Sequence, residues 1–184
     1  MAACTGPDVV YRPAPQILPS HIKKLSVRPL VNKTQQFGLE DKLTLRTIDE
    51  FLRNGEFPVV PEAQADGVVI GEIARYILTP IQYDSALVPV SYKLTVIVNL
   101  KFLDRTLNMV LWEEPNLVEN QIFAASTRPG GLTEEQAREA LWDILSRDIV
   151  ARVVRGFGSV TGESQRKLSS PQPSTGTVTS PQPQ

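Results

Sequence analysis

The sequence predicts an α+β fold: two helices packed on one face of a four-stranded, mostly antiparallel mixed sheet, in the chain order β-α-β-β-β-α. Two observations carry this prediction. Within residues 92–102 every even-numbered residue is apolar, whereas the odd-numbered ones include Lys93, Thr95, Asn99 and Lys101. Such alternation is typical of a sheet with one covered and one open face. Two other segments carry apolar residues three or four apart, the spacing that gives a helix one buried side.

The first half of the chain contains three predicted elements. Residues 22–31 read as a strand, with Leu25 and Val27 facing one way. Residues 38–54 read as a helix that ends at Gly55, because glycine readily takes the left-handed conformation that closes a helix. The apolar stripe of that helix is predicted to be Leu39, Leu43, Ile48, Phe51 and Leu52. Residues 68–78 read as a second strand, with a bulge at Gly71-Glu72 where the inside–outside parity becomes ambiguous.

The second half begins with the alternating strand. A tight turn at Asp104-Arg105 is predicted to join it to a strand at residues 106–112, which makes a hairpin. A loop containing Pro115 and Pro129 should follow. The last helix opens at Thr133, where Thr133 and Gln136 form a capping box, and it is predicted to stop at Gly156. Its buried stripe should comprise Leu141, Ile144, Leu145, Ile149 and Val153.

Three regions follow from composition. Residues 1–20 contain four prolines, which disfavour a helix or a central strand, and we expect a leader or spacer there. Residues 21–158 form the single α/β domain. Residues 159–184 are rich in Ser, Pro and Gln, with few large apolar residues, and we expect a disordered tail.

Composition also excludes several classes of protein. The net charge of -1 provides no general attraction to nucleic acid, so no nucleic-acid partner is expected. The single cysteine, Cys4, excludes an internal disulfide, and the single histidine, His21, leaves too few ligands for a typical zinc site. No grouping of residues resembles a catalytic constellation. We therefore expect a binding protein without a cofactor and without enzymatic activity.

Cys4 carries the clearest functional signal of the N-terminus. It follows Ala2-Ala3, and small residues before a cysteine match the end of a bacterial lipobox, in which the cysteine is lipidated. The next residue, Thr5, is not the aspartate that usually retains lipoproteins in the inner membrane of enteric bacteria, which favours the outer membrane. The proline-rich residues after Cys4 would serve as a flexible spacer.

Several segments resemble the lipopolysaccharide-assembly lipoprotein family LptE. They are residues 18–23 (LPSHIK), 31–34 (VNKT), 38–40 (GLE), Asn54-Gly55, 65–67 (ADG), 71–73 (GEI), 90–94 (VSYKL) and Leu111-Trp112. The resemblance covers about residues 4–157. It implies an outer-membrane lipoprotein that sits in the lumen of the β-barrel translocon LptD, acts there as a plug and assembly partner, and binds lipopolysaccharide. Only Cys4 is transferred from the family pattern, because the basic residues implicated in enteric members have no clear counterparts here.

The alternation suggests a separate site hypothesis. If the even-numbered residues of 92–102 face the helices, Lys93 and Lys101 lie on the open face, with Ile97 as an apolar neighbour. Lys24 and Arg28 of the first strand would share that face, and Arg105 would lie at the hairpin turn. Such a patch could contact the phosphates and an acyl chain of lipid A. The alternative is a solvated face, or one that packs against the barrel wall.

Two other functions stay open from sequence alone. The same architecture could serve a lipoprotein adaptor of another envelope complex, such as a cell-wall synthase activator or a secretion component, because fold does not determine function. An enzyme with an unfamiliar hydrolytic site is the other alternative.

Overall fold

Three long antiparallel strands form the centre of the fold. The computed structural model describes residues 18–155. Its elements, in chain order, are β1 (Leu25–Val27), β2 (Val31–Asn32), α1 (Leu39–Asn54), a 3₁₀ turn (Glu62–Gln64), β3 (Gly67–Tyr83), β4 (Pro89–Asp104), β5 (Met109–Ala124) and α2 (Glu134–Arg155). The strand order across the sheet is β1-β3-β4-β5, and β2 pairs with β3 beside β1. Both β1 and β2 are parallel to β3, whereas the β3–β4 and β4–β5 pairs are antiparallel.

The even-numbered residues of β4 lie on the covered face, as the alternation predicted. Leu94, Val96, Val98, Leu100 and Phe102 are at most 1% exposed, and they share one hydrophobic core with residues of α1 and α2. The α+β fold class is therefore confirmed.

The predicted first strand is broken at Pro29. Leu25–Val27 pairs with residues 67–69 of β3, and Val31–Asn32 pairs with Glu72 and Ile73 farther along the same strand. Proline has no N–H to donate to a neighbouring strand, so the pairing stops there. The next amide, that of Leu30, instead donates to Oγ1 of Thr44 at 2.9 Å. The single predicted strand is therefore two short pieces along one edge of β3.

The bulge in β3 lies three residues beyond the predicted Gly71. Ile73 is opposite Val98 and Arg75 is opposite Ile97, so Ala74 is the extra residue. Gly71 has a packing role instead: a Cβ atom there would lie 2.9 Å from Cγ of Leu30. Beyond the bulge the strand continues to Tyr83, past its predicted end at residue 78.

The fifth strand differs most from the prediction. Residues 105–108 form the turn, and the strand runs through Pro115, which we predicted to lie in a loop. Pro115 fits because the register shifts between the pairs Val98–Leu117 and Leu100–Glu114, and Asn116 has φ 58°. An edge strand tolerates a proline at such a bulge. The first residues of the predicted alternation, Leu107 and Met109, are exposed.

Both helices follow the predicted boundaries that the structure describes. The N–H of Gly55 donates to the carbonyl of Phe51 at 3.1 Å, and Oγ1 of Thr133 accepts from the amide of Gln136 at 3.2 Å. The predicted stop at Gly156 lies outside the described residues. The confirmed core residues of the two helices are Leu39, Leu43, Phe51, Leu141, Leu145, Ile149 and Val153.

The predicted helix stripes contain three deviations. Leu52 is 60% exposed, so its assignment to the core was wrong, and Ile48 and Ile144 are only partly buried. The core instead includes Thr47, whose hydroxyl donates to the carbonyl of Leu43 at 2.7 Å and is thereby satisfied within the helix. Trp142 is also fully buried, which its neighbours in sequence did not indicate.

Candidate functional site

The five predicted basic residues do not form one patch. Lys24 precedes β1, Arg28 follows it, and Arg105 follows β4, so these three lie at one end of the sheet. Lys101 is near that end of β4. Lys93 lies eight residues away along the same strand, about 26 Å at roughly 3.3 Å per residue. A single ligand phosphate therefore cannot reach all five.

Three of these residues already have partners. Nε of Arg28 donates to Oε2 of Glu62 at 3.2 Å, and this contact raises the pKa of Arg28 and lowers the pKa of Glu62. Nζ of Lys101 lies 2.9 Å from Oε1 of Glu113 on the neighbouring strand. Nη1 of Arg105 donates to the carbonyl of Ala63 at 2.8 Å, which ties the hairpin turn to the 3₁₀ turn.

The surroundings of Lys24 and Lys101 are acidic. The amide of Lys24 donates to Oδ2 of Asp66 at 3.0 Å. Lys101 lines a shallow groove on the open face together with Glu72 and Glu113. Two carboxylates beside one ammonium leave no net positive charge there, which makes this groove a poor site for a phosphate.

Lys93 lies in a different environment. Its cross-strand neighbours are Thr79 of β3 and Ile122 of β5. Residues directly opposite in an antiparallel pair share a face, so the register assigns nine residues to the open face here, three from each strand. Three of them are uncharged and polar, Thr79, Thr95 and Asn120, and we call the other six the bare-face patch: Arg75, Ile77, Lys93, Ile97, Val118 and Ile122.

The bare-face patch combines apolar side chains with two cations. Ile77, Val118 and Ile122 are 41%, 45% and 60% exposed, which is high for β-branched residues in the middle of strands. Within residues 18–155 no carboxylate is paired with Lys93 or Arg75. Exposed apolar side chains that gather on one face mark a candidate interaction surface.

Sequence reasoning found Lys93 and Ile97 but missed the other four members. Val118 and Ile122 were predicted to lie in a loop. Arg75 and Ile77 follow the bulge at Ala74, which moves the odd-numbered residues of β3 from the covered face to the open face. The sequence of β5 did contain a signal for a strand: the odd-numbered positions include the apolar Leu117 and Phe123, which are buried. The even-numbered positions Val118, Asn120 and Ile122 are exposed on the other face.

The titratable side chains that are most buried hold the fold together. Nε2 of His21 lies 2.6 Å from Oδ2 of Asp104, a fully buried residue. Burial alone would raise the pKa of Asp104, but the amide of Leu107, the His21 ring and the amide of Thr106 hold it below its ordinary value. These contacts join the segment before β1 to the β4–β5 turn.

A second such pair joins the sheet to α2. The hydroxyl of Tyr76 donates to Oε1 of Glu134 at 2.7 Å. Burial, reinforced by this carboxylate, raises the pKa of Tyr76 far above its ordinary value. The phenol therefore stays protonated and acts as a structural donor.

The described part of the chain contains no cluster of three or more His, Cys, Asp or Glu side chains that could hold a metal ion. Among the described helices, none is long and apolar enough to cross a bilayer. Cys4 lies outside the described residues, as does the tail from residue 159 onward.

Comparison with known proteins supplies the family. Solved structures with a similar fold include the hypothetical protein CT253 from Chlamydia trachomatis, at 13% identity and a TM-score of 0.50, covering 72% of this chain and 95% of that one. Protein XCC0632 from Xanthomonas campestris is 13% identical with a TM-score of 0.52, covering 74% and 86% of the two chains. At these identities the likeness concerns the fold alone.

No protein with a curated description matches the sequence. The family model of LptE, described as lipopolysaccharide-assembly, matches residues 22–156, which include every helix and strand of the structure. The chain belongs to the LptE lipopolysaccharide-assembly family.

Proposed function

We propose that this protein is an outer-membrane lipoprotein, anchored through a lipid on Cys4, that plugs and assembles the LptD β-barrel translocon and binds lipopolysaccharide during its delivery to the cell surface. The observation that carries the proposal is the family match across the whole folded domain. The lipobox-like residues around Cys4 support the anchor. In this role the protein acts by binding and not by catalysis.

The bare-face patch supports a binding site for lipopolysaccharide. That ligand presents phosphates beside acyl chains, and the patch presents Lys93 and Arg75 beside β-branched side chains. An ammonium or guanidinium without a carboxylate partner can donate to a phosphate at no cost in broken ion pairs. The apolar members lose water-exposed surface when an acyl chain covers them, at about 25 cal/mol per Å².

The other predicted residues are less favourable ligands than Lys93. A phosphate at Arg28 or Lys101 would compete with Glu62 or Glu113, and one at Arg105 would compete with a backbone carbonyl. Lys24 lies beside Asp66. Within the proposed site we therefore assign the phosphate contact to Lys93 and Arg75.

Charge reversal tests the site. The double variant Arg75→Glu/Lys93→Glu should weaken lipopolysaccharide binding by about tenfold or more, which corresponds to about 1.4 kcal/mol, without changing the urea midpoint. Lys33→Glu is the control for a single charge reversal, because Lys33 is an exposed lysine that follows β2 and lies outside the patch. Equal binding by the double variant and the control would exclude the patch as the site.

Affinity purification tests the partner. The tagged full-length protein, isolated from the outer membrane of its own host, should bring down a stoichiometric β-barrel protein and carry a triacylated Cys4 by mass spectrometry. A cell-wall synthase or a secretion component in place of the barrel would instead establish the adaptor function. An unmodified thiol on Cys4 would remove the anchor from the proposal.

A further inference from the structure

The outer edge of β5 is open over most of its length. The sheet order ends at β5, and among the described residues this strand pairs only with β4. At its C-terminal end Leu132 covers the edge: its amide donates to the carbonyl of Ala124 at 3.0 Å, and it forms a single bridge with Ala125. An unpaired edge is a ready template for another strand, and proteins usually protect it with proline, lysine or a bulge.

Such protection is confined to the first half of β5. Pro115 and the bulge beside Asn116 interrupt the edge, but from Leu117 onward eight consecutive residues pair with β4 without a register shift. Residues 117–124 contain no proline and no lysine, and Glu119 is their only charged residue. This second half is long enough to pair with a strand of ordinary length.

The register identifies the backbone groups that face outward. The amide of Ala125 donates to the carbonyl of Val90, so this directly opposed pair is hydrogen-bonded. Hydrogen-bonded pairs alternate along an antiparallel ladder, and Val118, Asn120 and Ile122 therefore direct their N–H groups away from β4. The carbonyl of Ile122 accepts from the side chain of Gln121 at 3.3 Å, whereas those of Val118 and Asn120 have no such contact within the described chain.

The two sides of this edge differ in chemistry. On the open side, Val118 and Ile122 are exposed members of the bare-face patch. On the helix side, Arg152 contacts both Glu114, at 3.1 Å, and Asp148, at 3.0 Å. Glu119 lies near this group, and burial together with the charge of Asp148 raises its pKa, against the effects of Arg152 and of the backbone amide of Asn120. Three carboxylates thus lie around one guanidinium, which leaves a local excess of negative charge.

We propose that residues 117–123 bind an extended segment of a partner protein by strand addition. The segment that fits carries small apolar side chains beside Val118 and Ile122 and, on its other side, a lysine or arginine opposite Glu119. Backbone hydrogen bonds to Val118 and Asn120 supply affinity, and the alternating side chains supply selectivity. This inference concerns a protein ligand and does not depend on lipopolysaccharide binding.

A second copy of this chain fits the edge less well. Antiparallel pairing of two β5 strands about Asn120 would place Gln121, and not a basic residue, opposite each Glu119. The excess negative charge would remain on both copies. A partner strand with a basic residue removes it, and charge complementarity therefore favours a different protein.

Synthetic strands test the proposal on the full-length protein. The probe is a nine-residue peptide of alternating threonine and valine whose central threonine is replaced by lysine. The peptide is added to the protein up to 1 mM, and hydrogen exchange of the protein's backbone amides is measured. We expect slowed exchange at Val118, Asn120 and Ile122. The same peptide with glutamate in place of lysine should bind at least tenfold more weakly, and Glu119→Lys should reverse that preference.

Backbone variants separate strand addition from simple charge attraction. Asn120→Pro removes an outward N–H and should weaken peptide binding at least tenfold, whereas Asn120→Ala should leave it unchanged. If Asn120→Pro fails to fold, methylating the peptide's own amides on alternate residues gives the same test with the unmodified protein. The proposal is overturned if protection appears elsewhere or not at all, if the two peptides bind equally, or if the protein alone dimerises through these residues.

Discussion

The central packing of the sheet can be tested by one added methyl group, in Gly67→Ala. A Cβ atom at Gly67 would lie 2.4 Å from Cζ of Phe102 and 3.2 Å from Cγ2 of Ile22. An ordinary contact begins near 3.4 Å, so the ring must move by about 1 Å. Phe102 is fully buried and stacks on Trp112, with 5.8 Å between the ring centroids, which limits that movement.

The strand cannot move away either. Gly67 is opposite Leu25 of β1 on one side and Asp104 of β4 on the other, so a backbone shift would disturb both pairings. Overpacking of this kind costs about 1–3 kcal/mol, and we expect about 2 kcal/mol for Gly67→Ala. In urea denaturation this lowers the midpoint by about 1 M, for a slope of about 2 kcal/mol per M.

Two further variants make the reasoning refutable. In Gly71→Ala the added Cβ would clash with the side chain of Leu30, at 2.9 Å from Cγ, while Cδ2 of Leu100 lies at an ordinary 3.4 Å. A flexible leucine can yield, so the loss of stability should be smaller. In the double variant Gly67→Ala/Phe102→Leu the smaller side chain leaves room for the methyl group. Its loss should therefore fall short of the sum of the single losses by about 0.5 kcal/mol or more. The predicted clash would be refuted if the two glycine variants lost equal free energy of unfolding. It would also be refuted if the loss in the double variant equalled the sum of the single losses.

Two other predictions concern buried polar contacts. Thr44→Val should lower the free energy of unfolding, measured in urea, by about 1–3 kcal/mol, because the amide of Leu30 loses its acceptor. Thr47→Val is the control, because it removes only a hydrogen bond within the helix. Similar losses of stability in the two variants would contradict this prediction. Folding lowers the pKa of Asp104. Its negative charge therefore stabilises the folded protein above about pH 4, the ordinary pKa of an aspartate. This stabilisation is lost as the pH falls through the pKa of the folded state. Asp104→Asn should therefore destabilise the protein at pH 7 more than at pH 3, and an equal loss at both pH values would contradict the assignment.

Local patterns predicted the parts of the fold that depend on local physics. The alternation in β4 and the capping box at Thr133 involve residues within a few positions of one another, and both are confirmed. The course of β5 is different, because a proline reads as a strand breaker unless its position at an edge is known. That position depends on pairing with β4, and it also determines whether Val118 and Ile122 face solvent.

The candidate site likewise depends on contacts between residues that are far apart in the sequence, which local patterns do not predict. The ion pair of Arg28 with Glu62 joins residues 34 positions apart, and nothing in the local sequence of either residue indicates it. Conversely, Arg75 became a neighbour of Ile97 only because Ala74 is bulged out of the ladder. That the five basic residues bind lipopolysaccharide stays a prediction, and which of them has a carboxylate partner is a property of the tertiary structure.

The start of the described chain and Lys93 lie toward opposite ends of the sheet. The described chain begins at Leu18, and His21 is joined to Asp104, the last residue of β4. Lys93 lies eleven residues earlier on that strand, about 36 Å away at roughly 3.3 Å per residue. Residues 18–21 are therefore held at the end of the sheet remote from Lys93. Contacts that fix this segment leave the open face around Lys93 accessible, because the two regions share no residue and no hydrogen bond within the described chain.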